Sequence, residues 1–243
     1  MLESFLPFYN ERHTPVNMLM IHCSAQHTAA EMVEVLRAEE LSCHYIIDFN
    51  GDITQVAPED KRAWHGGFGS WRDVESDVNS HSIGIELCHL TLGQTPYDPR
   101  QIAALIELSQ DIIRRYHIKP QYIVGHSDCA PTRKPDPGKA FPWQTLAQNG
   151  VGLWYDVTDA SKVSNNDVRA LLQSIGYATA SDTEFHASQY AFARRFAPQL
   201  VADDFNIHHL VENVFPPQID LASNSDFLNI LKAVNYTFNQ REL

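Results

Sequence analysis

Apolar runs of four to seven residues recur along the first half of this 243-residue chain, and longer stretches with helical periodicity separate them. A run that short, apolar throughout, reads as a strand covered on both faces, and strands alternating with helices constrain the chain to a layered α/β fold. Met18 to Ile21 is the first such strand. Thr28 followed by Glu31 is a capping box that opens a helix with Met32, Val35 and Leu36 on its apolar side. Cys43 to Phe49 and Ile53 to Ala57 flank Asn50-Gly51, the pair that suits a type I′ hairpin turn. Ser82 to Cys88 predicts a further strand. Asp98-Pro99 starts a long helix carrying Ile102, Leu105, Ile106, Ile112, Ile113 and Tyr116, and Tyr122 to Val124 is one more strand. The order strand, helix, hairpin, strand, helix, strand predicts a central mixed β-sheet flanked by helices.

After this part, residues 156–165 turn polar and read as a linker. Residues 166–243 then predict a small all-α unit. Its first helix carries Val168, Leu171, Leu172 and Ile175 and stops at Gly176. Phe185 to Phe196 and Ile207 to Phe215 predict two more helices, and a last amphipathic stretch with Phe227, Leu228, Ile230 and Leu231 follows Pro216-Pro217. A hydrophobic content of 44% is enough to bury a proper core.

The net charge of -12 argues against nucleic acid or an anionic membrane surface as partner, since both reward basic patches. No apolar run approaches the roughly 20 residues that span a bilayer. The first twenty residues lack a basic segment followed by a long apolar stretch, which predicts a cytoplasmic protein unless a leader was removed or export is non-classical. Cys23, Cys43, Cys88 and Cys129 form no CxxC pair and read as reduced, buried side chains.

His22, His126 and Asp136 each sit just past an apolar run or a glycine. Two imidazoles and one carboxylate are a tetrahedral zinc set with one position left to water, which predicts hydrolysis of an amide or ester. Each residue also has an ordinary reading: a histidine after a strand is often a hydrogen-bonded structural group, and Asp136-Pro137-Gly138 is good turn chemistry. Glu86 lies on the apolar strand Ile83 to Leu87, where a carboxylate must find a partner or a task. Lys134 precedes Asp136 by two residues, so an extended Lys-Pro-Asp segment turns both side chains the same way.

The run from Gly125-His126-Ser127-Asp128-Cys129 through Thr132-Arg133-Lys134-Pro135-Asp136-Pro137-Gly138 to Phe141-Pro142-Trp143 resembles the second metal-binding segment of zinc-dependent N-acetylmuramoyl-L-alanine amidases. Met20-Ile21-His22-Cys23-Ser24 resembles their first ligand segment, Ser42-Cys43-His44-Tyr45 an early strand, Ala63-Trp64-His65-Gly66-Gly67 a cleft loop, and Ser82 to Leu87 the catalytic strand. The likeness covers about residues 8 to 156 and is similar to the bacterial two-domain branch with a C-terminal peptidoglycan-binding helical domain. It departs at Cys23, where an aromatic residue is expected, and at Leu87-Cys88-His89.

The resemblance implies a catalytic domain over 1–155 and a peptidoglycan-binding-like domain over 166–243. It implies Zn2+ on His22, His126 and Asp136, Glu86 as general base, and Lys134 beside the developing oxyanion. His44, Trp64 and His65 are expected to line the substrate cleft. The implied reaction cuts the bond between N-acetylmuramic acid and L-alanine in peptidoglycan or muropeptides. A recycling enzyme restricted to 1,6-anhydro-muropeptides, or a recognition module that binds without cutting, are the alternatives. The sequence leaves the oligomeric state open.

Overall fold

The structure is a computed structural model that describes residues 1–201, 216 and 219–240. Among these, six strands form one sheet in the order β1-β5-β4-β7-β3-β8. They are β1 (Leu2–Glu3), β3 (Met18–Ser24), β4 (Tyr45–Ile47), β5 (Ile53–Gln55), β7 (Ser82–Cys88) and β8 (Ile123–Gly125). The pairs β4/β7, β7/β3 and β3/β8 are parallel while β4/β5 is antiparallel, so the sheet is mixed as predicted. A short ribbon, β2 (Tyr9–Glu11) with β6 (Lys61–Ala63), lies apart.

Every residue of β3 and β7 is buried, which is why both read as apolar runs without alternation. Alternation survives in which face each residue serves. Leu19, Ile21, Ile83, Ile85 and Ile123 pack with Ile102, Leu105 and Ile112 of α3 (Pro99–Tyr116). Met18, Met20 and Val124 face the opposite way, into a cluster with the C-terminal helices α6 (Val168–Ile175), α7 (Asp182–Phe196) and α8 (Ser225–Gln240). Phe192, Phe196, Phe227 and Phe238 are almost fully buried there. At roughly 2–3 kcal/mol per buried aromatic, against at most about 1 kcal/mol for an exposed ion pair, apolar burial is what holds the helices to the sheet.

The helix starts follow the expected local chemistry. Thr28 and Glu31 complete the capping box of α1 (Ala29–Ala38), Asp98 caps α3 ahead of Pro99, and Gly176 ends α6 at φ 136. Three expectations change. The hairpin does not close on a type I′ pair: Asp48 N–H donates to Asp52 O and Gly51 N–H to Asp48 O, both at 2.9 Å, and of Asn50 and Gly51 only the glycine takes a positive φ. The Asn50 amide oxygen accepts from Asp52 N–H at 2.9 Å, which holds Asn50 in the ordinary region and makes a three-residue turn with a glycine bulge. β3 also runs past His22 to Ser24. Finally, the polar stretch expected as a linker contains a 3-10 helix, Val157–Lys162, that buries Ala160 and sets the Lys162 ammonium over the Tyr236 ring of α8. The helix expected over Ile207 to Phe215 lies outside the described residues. Among the described residues no helix is long and apolar enough to cross a membrane, and the four cysteines are free and buried.

Candidate active site

The parallel register of β3 and β7 sets His22 directly beside Glu86. On β7 the same alternation that sends Ile83, Ile85 and Leu87 to the α3 side sends Ser82, Gly84 and Glu86 to the side of His22. β8 ends at Gly125, and His126 opens the short helix α4 (His126–Cys129), whose first turn is tied back by Asp128 Oδ2 accepting from Gly125 N–H. Asp136 arrives on the following loop. That loop is clamped from outside: the Tyr97 hydroxyl donates to Pro137 O at 2.6 Å, and Gly93, at φ 69, approaches so closely that a Cβ would meet the same oxygen at 1.9 Å. Only glycine fits there.

Three donor atoms converge. His22 Nδ1 and His126 Nδ1 are 3.0 Å apart, and Asp136 Oδ2 is 3.2 Å from each. Ligand atoms at tetrahedral corners around an ion with bonds near 2.0–2.1 Å would be about 3.3 Å apart, so the set fits a divalent ion. The outer nitrogens are engaged elsewhere: His126 Nε2 faces the carbonyl of Gly66 at 2.9 Å, and His22 Nε2 faces His65 Nδ1 at 2.9 Å. Each imidazole is thus anchored on its far side with the near side turned to the shared point, the arrangement metal-ligating histidines use.

The site's electrostatics follow from its burial. Desolvation and the neighbouring His126 lower His22 to about 4, which keeps its ring neutral. Burial pushes Asp136 upward, but His126 and His22 outweigh it and hold the carboxyl well below the usual range. Glu86 goes the other way, raised to about 8 by burial first and by the Asp136 charge second, against the opposing pull of Lys134. Its Oε1 is 4.0 Å from His22 Nδ1, and its buried Oε2 has no hydrogen-bond partner among the described residues.

Glu86, His126, Lys134 and Asp136 open onto one cleft of about 190 Å³ whose apolar wall is Met32, Val35, Leu36 and Leu41. Trp64 and His65 also line it. Trp64 is half-buried and donates its indole N–H to Asn10 Oδ1 at 2.6 Å, the β2/β6 ribbon bringing the two together. His44 does not reach the cleft and is a correction to the sequence reading. It is fully buried, its Nδ1 accepts from Gly84 N–H at 2.9 Å, and its Nε2 sits 3.1 Å from Lys61 O. Both ring nitrogens are consumed by backbone, so the side chain braces β4 against β7. Cys23 and Cys129, though adjacent in sequence to the ligand segments, stand outside the converging set.

Sequence reasoning did not find the Gly66 carbonyl, nor Asn79, whose Oδ1 accepts from Gly66 N–H at 2.7 Å and His65 N–H at 3.3 Å. A carbonyl leaves no mark in residue type. Ser82 and Gly84 could have been picked out, because they share the Glu86 face of β7 and small or polar residues there break an apolar run.

Residues 12–139 match the N-acetylmuramoyl-L-alanine amidase family. The chain is 42% identical over 155 residues to N-acetylmuramoyl-L-alanine amidase AmiD of Escherichia coli K12, covering 58% of this chain and 55% of that protein. It is 44% identical over 103 residues to 1,6-anhydro-N-acetylmuramyl-L-alanine amidase AmpD of Enterobacter cloacae, covering 42% and 54%. The matching region thus spans about half the length of these curated relatives. Among solved structures, AmiD from E. coli in complex with anhydro-N-acetylmuramic acid-L-Ala-D-gamma-Glu-L-Lys superposes with a TM-score of 0.74 at 30% identity, over 96% of this chain and 92% of that one. AmpDh3 from Pseudomonas aeruginosa with an anhydromuramic pentapeptide gives 0.74 at 27% identity, over 98% and 95%. With the mixed sheet, the converging His22, His126 and Asp136, and matches that take in both ligand segments, the chain belongs to the N-acetylmuramoyl-L-alanine amidase family.

Proposed function

We propose that this chain is a zinc-dependent amidase that cleaves the amide between N-acetylmuramic acid and L-alanine in muropeptides. The observation that carries the reading is a three-donor cluster set beside a buried carboxylate with one oxygen unpartnered among the described residues, both opening onto one cleft. His22, His126 and Asp136 would hold the zinc. A zinc bound there supplies polarisation of the substrate carbonyl and acidification of water.

Glu86 is the general base. It takes a proton from the attacking water as the new C–O bond forms, and returns it to the alanine nitrogen as the C–N bond breaks. The same burial that raises Glu86 to about 8 makes it a good proton donor in the second half of the reaction, and an arriving cation favours its ionised form in the first. Lys134 lines the same cleft and supplies positive charge for the oxyanion of the tetrahedral intermediate. Trp64 and the apolar wall from α1 offer a surface for the substrate.

The bound molecules in the AmiD and AmpDh3 structures support an anhydro-muramyl peptide as a substrate. We assign residues 1–155 to catalysis and 166–243 to contact with peptidoglycan, with the division at 156–165. The test compares peptide release from anhydro-N-acetylmuramyl peptides and from sacculi, with zinc measured on the same sample. Stoichiometric zinc with release from the soluble fragment is the expected result. Zinc-loaded protein that binds the fragment and releases nothing would instead establish a recognition module.

A further inference from the structure

We infer that His65 is a positioning residue, one that fixes which nitrogen of His22 carries the proton and therefore which one faces the ion. The inference rests on the reading of His22 as a ligand. The hydrogen-bond series begins at a backbone carbonyl, which can only accept. Val78 O lies 2.6 Å from the Ser82 hydroxyl, so that hydroxyl spends its hydrogen there. The Ser82 oxygen then meets His65 Nε2 at 3.3 Å as an acceptor, which requires an N–H on that nitrogen. A neutral imidazole protonated at Nε2 carries a lone pair on Nδ1. His65 Nδ1 is 2.9 Å from His22 Nε2, so His22 donates from Nε2 and keeps its own lone pair on Nδ1. That is the atom 3.0 Å from His126 Nδ1 and 3.2 Å from Asp136 Oδ2.

His126 reaches the same tautomer by a shorter route, through the Gly66 carbonyl. Two consecutive residues therefore hold the outer nitrogens of both imidazoles. The His65 ring itself is seated by a missing side chain: a Cβ on Gly84 would stand 2.5 Å from its Cγ and Nδ1. This assigns His65 to the support of the metal site rather than to the substrate.

The test uses the full chain with His65→Leu, which fills the space without a lone pair, and His65→Asn, whose amide oxygen can stand near the lost Nδ1. Zinc dissociation constants come from competition with a chelator, and the His22 tautomer from nitrogen-15 NMR before zinc is added. Loss of a ligand's hydrogen-bond partner typically weakens metal binding about 10–100-fold, so His65→Leu is expected in that range and His65→Asn within roughly fivefold of wild type. His22 should carry its proton on Nε2 in wild type and lose that preference in His65→Leu. Equal zinc affinity in His65→Leu, or a wild-type His22 protonated on Nδ1, overturns the inference. Should His65→Leu not fold, Ser82→Ala decides it: loss of the Nε2 tautomer supports the relay and an unchanged tautomer overturns it. Wild-type protein that binds zinc with the expected tautomer yet releases no peptide supports this inference while overturning the amidase reading; wild-type protein that binds no zinc overturns both.

Discussion

At position 86 a carboxylate sits where the sheet would otherwise be apolar, between the neighbouring strand positions Ile46 and His22. Burying it with one oxygen unpartnered among the described residues costs free energy, which is what marks position 86 as a candidate for function. Glu86→Gln keeps the shape and removes the base. It is expected to lower kcat by roughly 10²–10⁴ while leaving zinc affinity within a few-fold, since general acid–base groups contribute on that scale. Steady-state kinetics with metal analysis on the same variant checks this; parallel loss of zinc would recast Glu86 as a ligand. His44 gives a pH prediction. Burial lowers it to about 4 from the ordinary 6.5, so the unfolded chain takes up a proton that the folded ring refuses. Its contribution is fully present above pH 6.5 and is lost as pH falls toward 4, in total about 3 kcal/mol. Urea unfolding at pH 7 and 4.5 should show His44→Gln losing roughly 2–3 kcal/mol less than wild type over that interval, and matching pH slopes would remove His44 from the account.

Between elements, a buried charged tie runs from α7 to the segment that presents His126. Arg195 pairs with Asp128 through Nη1, donates from Nη2 to Ile123 O at 3.1 Å, and stacks its guanidinium 3.9 Å over Trp143. Tyr177, just after α6, donates its hydroxyl to the other Asp128 oxygen at 2.6 Å. Asp128 and Arg195 are both buried, so removing Arg195 leaves the Asp128 carboxylate without its counter-charge, held only by the Tyr177 hydroxyl and the Gly125 amide. Arg195→Met is expected to destabilise by about 3–5 kcal/mol, read from chemical denaturation, whereas Arg100→Met at the exposed Asp98 pair should cost at most about 1 kcal/mol. Elements of this kind divide by how much the sequence discloses. The capping box at Thr28, the Asp98-Pro99 start and the strand at Ser82 were legible because their causes lie within four residues. His22, His126, Asp136 and Glu86 were legible as candidates because a long motif marks them. The Asp128–Arg195 tie, 67 positions apart, the loss of His44 to the backbone of β7, and the Gly66 carbonyl were not, since each depends on which surfaces the finished fold brings together. The hairpin misled for a local reason: Asn50 hydrogen-bonds forward to Asp52 instead of taking the positive φ that its partnership with Gly51 suggested.

For the molecule as a whole, the C-terminal helices and the sheet share one core, in which Met18, Met20, Trp71 and Val124 touch residues of α6, α7 and α8. A chain truncated at residue 165 would expose that face and strand Asp128. It is expected to lose cooperative unfolding and to aggregate rather than survive as a free catalytic unit, because several buried aromatics at roughly 2–3 kcal/mol each exceed the usual net stability of a domain. Calorimetry on the truncated chain decides it, a sharp transition near that of the full chain being the contrary result. The register that pairs His22 with Glu86 has one more implication. Adjacent strands are spaced about 4.8 Å apart by their amide ladder, whatever the side chains do. The backbone separation between positions 22 and 86 is therefore inherited from peptide geometry, a quantity that temperature and side-chain substitution scarcely alter, so the groove's walls can be reshaped while these two attachment points stay put.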